Sequence, residues 1–189
     1  MSDLGLHSPR GPHWARATRA VAILLVTGVL AAACSSSSAK SDASSTYAGA
    51  PGLLVSGTSG GWSFHDGQSV SVSMGANKTF VPLSRLIIIQ CADPKGTQAD
   101  LPTKFANCDG NTIQGDSVII RSDGSFSEKN FTIYKLPSAT LGEQANWQPV
   151  CSATKKCVLF IGENQNDFTK PKVFSHPFVV TSGSSGSGS

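Results

Sequence analysis

Five cysteines constrain this 189-residue chain more than any other feature. Cys91 and Cys108 make one sequence-near pair, and Cys151 and Cys157 make a second. Four in pairs read as two disulfides, which form and persist outside the cytosol. The fifth, Cys34, stands alone directly behind an apolar run and reads as a lipid attachment point. The expectation is a small exported domain held on the outer face of a membrane.

The first 33 residues carry the marks of a secretory signal. Arg10, Arg16 and Arg19 supply a positive start, and Ala20 to Ala33 is uncharged. Such a run of about 14 residues is short for a bilayer span and right for a signal core. It ends Leu30-Ala31-Ala32-Ala33-Cys34, which resembles the bacterial lipobox, although the lipobox prefers Leu where Ala31 stands. Lipidation of Cys34 is therefore the expectation, and secretion after Ala-x-Ala cleavage is the alternative. Residues 35–50 are mostly Ser, Ala, Asp, Lys, Thr and Gly. A segment of that kind buries little apolar surface and is expected to stay a disordered tether. Residues 182–189 are Ser and Gly only and read as a flexible tail.

Between them, residues 51–181 amount to about 130 residues, one domain by size. The chain carries a formal charge of +3, but three arginines and one aspartate lie in the first 33 residues, leaving +1. The apparent basicity belongs to the signal. A nucleic-acid footprint needs clustered Lys and Arg, and Lys155-Lys156 is the one adjacent basic pair. No nucleic-acid binding is expected.

The body reads as strands. Val70, Val72 and Met74 alternate with Ser69, Ser71 and Ser73, the period of a strand with one buried face. Leu86-Ile87-Ile88-Ile89 is a continuous apolar run that suits a central strand buried on both faces. Val118-Ile119-Ile120, the alternating stretch around Phe131 and Ile133, Val158 to Ile161, Phe178 to Val180 and Leu53 to Val55 supply the rest. Asp123-Gly124-Ser125 is a turn signal. About seven short strands without helical periodicity predict an all-β sandwich. On chain entropy, a bridge over the polar loop from Cys91 to Cys108 stabilises by roughly 3 kcal/mol, and one over the shorter Cys151–Cys157 loop by about 2 kcal/mol.

Several residue blocks, in order, resemble the neocarzinostatin family. They are Asp66 to Ser73, Gln90-Cys91-Ala92-Asp93-Pro94, Asn107-Cys108-Asp109, Ser122 to Phe126, Trp147-Gln148-Pro149-Val150-Cys151 and Cys157-Val158. The resemblance implies an immunoglobulin-like, seven-stranded β-sandwich with Cys91–Cys108 and Cys151–Cys157 bridges. It also implies a crevice beside the sandwich that, in characterised members, holds an enediyne chromophore. This chain departs from the family at that crevice. Asp93 stands where the chromophore binder has Trp, Ala106 where it has Leu, and Val158 where it has Gln. Those departures, and a lipid anchor, argue against an enediyne carrier.

No catalytic constellation is present. His65 neighbours Asp66, but nothing places a nucleophile beside them. Glu163 and Asp167 flank a polar loop whose spacing matches no calcium motif. Oxidised cysteines disfavour zinc. The chain is expected to be a non-enzyme without cofactor or metal. Asp93, Phe105, Trp147 and Phe160 are the candidate contacts for a small apolar or mixed ligand held between the two disulfide loops. The alternative is a structural or protein-interaction module of the cell envelope. A monomer is expected, with a small molecule or an envelope protein as partner.

The anchor has a direct test. The wild-type protein should partition into the detergent phase of a cloud-point extraction, and Cys34→Ala should move it to the aqueous phase. A Cys34→Ala protein that still enters the detergent phase overturns the acylation.

Overall fold

The apolar run at Leu86–Ile89 organises the domain. It lies in β4 (Arg85–Ala92), which pairs antiparallel with β8 (Cys157–Gly162) along six residues, from Ile87–Gly162 to Ala92–Cys157. The computed structural model describes residues 45–57, 61–114 and 118–183. Cys34, the signal and most of the tether therefore lie outside the described residues, as do residues 184–189.

Among the described residues there are ten strands in three sheets, and no helix longer than a three-residue turn. The largest sheet holds β5 (Cys108–Asp109), β4, β8 and β9 (Lys172–Phe174), with β6 (Val118–Ile119) on the Arg85 end of β4. A second sheet orders β1 (Leu53–Val55), β3 (Gln68–Met74) and β7 (Phe126–Ile133), all antiparallel. A parallel pair joins β2 (Ser63–His65) to β10 (Val179–Thr181). The fold is all-β, as expected, and both expected disulfides, Cys91–Cys108 and Cys151–Cys157, are formed. They point to an oxidising compartment. All seven expected strands are present. The count rises to ten because β2, β5 and β9 are short and lack the apolar runs that mark β1, β6 and β10.

Two cores follow from the period-two pattern. Val70, Val72 and Met74 of β3 face inward, as their alternation with serines predicts, and meet Phe126, Phe131 and Ile133 of β7. The same core takes Leu86 and Ile88 from β4 and Leu159 and Ile161 from β8. The intervening side chains Ile89, Cys91, Val158 and Phe160 point the other way, into a second core with Cys108 and Phe174. Tyr47, Leu101, Ile113 and Phe168 pack over that second core. Both faces of β4 and β8 are thus buried, which is why these strands read as unbroken apolar runs.

Residues 45–50 depart from the tether expectation. Thr46 pairs with Thr97, the Tyr47 amide donates to the Gly96 carbonyl (2.9 Å) and the Ala50 amide donates to Phe174 (2.9 Å). The cause is Tyr47, the one aromatic of the segment. Its ring gives an otherwise polar stretch something to bury.

The turn signal at Asp123-Gly124-Ser125 is also satisfied. Gly124 sits at φ +83°, and a Cβ there would lie 2.0 Å from the Asn77 carbonyl oxygen. Gly52 has a similar φ of +77° but open space around it. Gly52→Ala should therefore cost about 1 kcal/mol, the left-handed penalty alone. Gly124→Ala should cost well above 2 kcal/mol, because backbone must move as well. Urea unfolding of the two variants checks the ordering, and equal losses would contradict this account of the turn.

Candidate functional site

Both disulfides lie at the end of β4 remote from Arg85. Cys91 pairs across to Cys108, Ala92 lies opposite Cys157, and Cys151 bridges to Leu136. The loops they clamp therefore converge with the entering chain. The Asp93 amide donates to the Lys156 carbonyl (3.0 Å), and Gly96 donates to the Asp93 carbonyl (2.9 Å). Gly96 is at φ +71° beneath the Lys156 side chain, whose Cδ would be 2.6 Å from a Cβ at that position. The left-handed φ favours glycine there, and the Lys156 side chain lies directly over it.

Two buried acids lie within this end. Asp93, at 0 % exposure, has no hydrogen-bond partner on either carboxylate oxygen. Burial, and then the charge of Asp100, push its carboxyl up to about 6. The amides of Gly96 and Thr97 and the Lys156 ammonium pull the other way, without any of them bonding to the carboxylate. Tyr47 lies near it, and burial together with the Asp93 charge raises the phenol. Asp100 is held by Thr97 Oγ1 (3.1 Å) and faces Lys95 at 4.0 Å.

The second acid is Asp109, directly after Cys108. Its Oδ1 accepts the Asn111 amide (2.9 Å), and its carboxyl also meets that of Glu143. Burial, then the neighbouring Glu143 carboxyl, push Asp109 up to about 7. For Glu143, burial acts to raise the carboxyl, but the neighbouring Asp109 carboxyl and hydrogen bonds from Asn111 and the Ser138 amide outweigh it and hold the group below its ordinary value. Its Oε1 accepts from Asn111 Nδ2 (3.0 Å) and its Oε2 from the Ser138 amide (2.7 Å). Asp109 Oδ2 itself is buried without a hydrogen-bond partner. The Asn111–Glu143 bond joins the 138–143 turn to the segment behind the first disulfide. Among the described residues no group of three or more His, Cys, Asp or Glu converges in a manner suited to a metal.

The four candidate contacts separate. Phe160 is 1 % exposed and packed between Phe168 (4.8 Å) and Phe174 (5.8 Å). Asp93 is buried as described. Trp147, at 50 %, and Phe105, at 37 %, are the exposed aromatics of this end. The Phe105 ring lies against Gly110. The Asn111–Glu143 contact brings its segment to the loop that carries Trp147. Elsewhere, His65 Nδ1 bonds to Thr181 Oγ1 (3.0 Å) and Asp66 accepts the Lys135 amide (2.9 Å). Glu163 accepts from Val81 and Ser84, and Asp167 from Thr169, so both carboxylates serve their own loops. Tyr47, Asp109, Ser138 and Glu143 escaped sequence reading. The place of Asp109 beside Cys108 was the one available signal.

Comparison with family models, curated proteins and solved structures finds no match for the chain.

Asp93 and Asp109 both bind a proton more tightly when folded than when unfolded. The native state holds more protons between about pH 4 and pH 7, so its stability is greatest at the acid side and falls as pH rises through that window. Glu143 acts oppositely near its ordinary 4.5, which ends the gain below that pH. The melting temperature should climb from about pH 8 to about pH 5. Asp109→Asn, which keeps the shape of the protonated acid, should remove most of the climb above about pH 6. An Asp109→Asn domain with an unchanged slope would show that Asp109 does not carry the proton.

Proposed function

We propose that the chain is an exported, non-catalytic binding module of the cell envelope, tethered to the outer face of the cytoplasmic membrane through lipidated Cys34, and that it engages a protein. The observation that carries this choice over a small-ligand crevice is the second core. The sheet face beside the Cys91–Cys108 bridge, where Phe160 was expected to line a crevice, is filled by Tyr47, Leu101, Ile113 and Phe168 of the chain itself. The same filled face weighs against an enediyne carrier. The seven expected strands all being present, together with the two short disulfide loops, supports an immunoglobulin-like sandwich of neocarzinostatin type as the scaffold.

The partner-facing surface in this reading is the tip at the Arg85 end of β4. Val81, Leu83 and Ile119 are exposed there, Leu83 at 73 %. Leu83 is the one non-glycine residue among those described with positive φ, at 67°. A left-handed leucine costs about 1–2 kcal/mol that Gly or Asn would largely avoid. The tip is nonetheless held firmly. The Leu83 amide donates to Ile120 (3.0 Å), Ser84 Oγ to Val81 (2.8 Å), and Glu163 accepts the Val81 amide (3.1 Å). A strained, exposed, rigid apolar residue is the pattern of a contact residue.

A photo-crosslinking residue at position 83 in the source cells should give one discrete protein adduct. Ile119→Ser should weaken it, and Leu83→Asn should raise unfolding stability by roughly 1 kcal/mol. Absence of any adduct at 83, together with a small molecule retained by the native protein in mass spectrometry, would return the function to the ligand crevice.

A further inference from the structure

We infer that the disulfide end of the domain is a membrane-facing surface that seats on anionic phospholipid headgroups. This rests on the envelope reading above and assigns the domain an orientation within it.

The first reason is where the chain enters. Thr46 pairs with Thr97 and Tyr47 bonds to Gly96, so everything before Ser45 joins the domain at the disulfide end. Residues 35–44 separate Cys34 from the described chain. At up to about 3.5 Å per residue they span at most ~35 Å. The Leu83 tip lies at the other end of β4, about 23 Å further away at the usual strand rise. An anchor at Cys34 therefore enters at the disulfide end and makes that end the one closest to the bilayer along the chain.

The second reason is the chemistry of that end. Trp147 and Phe105 are its exposed aromatics. Trp is the side chain most at home at headgroup depth, with an apolar body and a polar N–H. Lys104, Lys155 and Lys156 belong to the same converging loops, and the first two are exposed. Long lysine stems keep their ammonium groups in the polar layer. The acids here are withdrawn from the surface or engaged. Asp93 and Asp109 are buried, Asp100 faces Lys95, and Glu143 is tied to Asn111 and Ser138. The end thus presents cations and aromatics to a chain otherwise near neutrality. The opposite tip exposes Val81, Leu83 and Ile119 beside Arg85 and Arg121, but no exposed aromatic ring is found there among the described residues.

The test uses the exported chain carrying Cys34→Ala, so that no acyl chain contributes. The protein should co-sediment with vesicles of phosphatidylglycerol and phosphatidylcholine and not with phosphatidylcholine alone, and added salt should release it. The double variant Lys104→Glu/Lys155→Glu should weaken binding by tenfold or more, each lysine being worth about fivefold near an anionic surface. Trp147→Ala should weaken it several-fold. In a Trp62→Phe background, the remaining described tryptophan, Trp147, should shift its emission to the blue on vesicles. Far-ultraviolet circular dichroism and melting temperature establish that each variant is folded. Equal binding to both vesicle types overturns the proposal. Binding that ignores Trp147 and the lysines but is lost in Leu83→Ser overturns the orientation. Acylation fails independently, through detergent partitioning of the Cys34→Ala protein.

Discussion

Two buried or half-buried glutamines set how the sheets meet. Gln90 donates Nε2 to the Tyr134 carbonyl (2.6 Å) and accepts the Tyr134 amide on Oε1 (3.1 Å). Gln114 does the same for Thr132, at 2.6 and 2.7 Å. Thr132 and Tyr134 are two residues apart, so their main-chain groups point to the same side of β7, away from β3. A side-chain amide there has the donor and acceptor of a peptide, and two of them continue the ladder where no strand does. The edge of β7 is closed without a further strand, which removes a template for edge pairing. Gln90 at the same time faces the main core from β4, at 0 % exposure, so the bond that closes one sheet also holds it to the other. Truncating it would leave two main-chain groups unsatisfied as well as a void.

The position of the disulfide end follows from that clamp. With Tyr134 fixed, Leu136 can pair with Cys151, and the chain beyond turns at Ser138 to lay Glu143 against Asp109. The Gln90 amide itself donates to Thr112 Oγ1, which donates to the Asp109 carbonyl. One short stretch at the end of β4 and just beyond it, residues 90–93, therefore carries the inter-sheet clamp, the first disulfide and the first buried acid. Asp93 and Asp109 are the groups this arrangement leaves electrostatically unfavourable. Each responds by holding a proton more tightly, the cheaper outcome for an acid with few donors.

Much of this was legible in the sequence, and the failures have physical causes. Strands with a strong period or an unbroken apolar run, such as 70–74 and 86–89, were readable because burial on one face or two leaves a direct trace in residue type. β5 and β9 were not, since these two- and three-residue strands carry no unbroken apolar run. Tyr47 was lost in a segment whose average polarity hid one ring. The aromatics show the sharper limit. Phe105, Trp147 and Phe160 are equally apolar on paper, yet Phe160 is a core residue and the other two are surface. That difference is decided by which face of β8 is covered, and the cover comes from residues 47, 101, 113 and 168, scattered through the chain. The Asp109–Glu143 pair, 34 positions apart, is likewise visible only once Gln90 has set the path between them.

The ends of β4 are chemically opposite, and this is a consequence of how the strand is used. At Cys91 the backbone is crosslinked, hydrogen-bonded and covered, so neighbouring loops can be polar and still be ordered. Lysines and aromatic rings stand on them at little entropic cost. At Arg85 no crosslink exists. Order there is supplied by Glu163 and by the hydrogen bonds around Leu83, and the exposed apolar residues are aliphatic, beside Arg85 and Arg121. A domain attached at the first end presents the second outward. The filled second core belongs to the same logic. Tyr47, which brings the entering chain onto the domain, is also one of the residues that cover Phe160, so attachment at that end and a vacant crevice beside it compete for the same space. A scaffold that holds its own N-terminal segment against this sheet gives up the face on which a small ligand would have been enclosed.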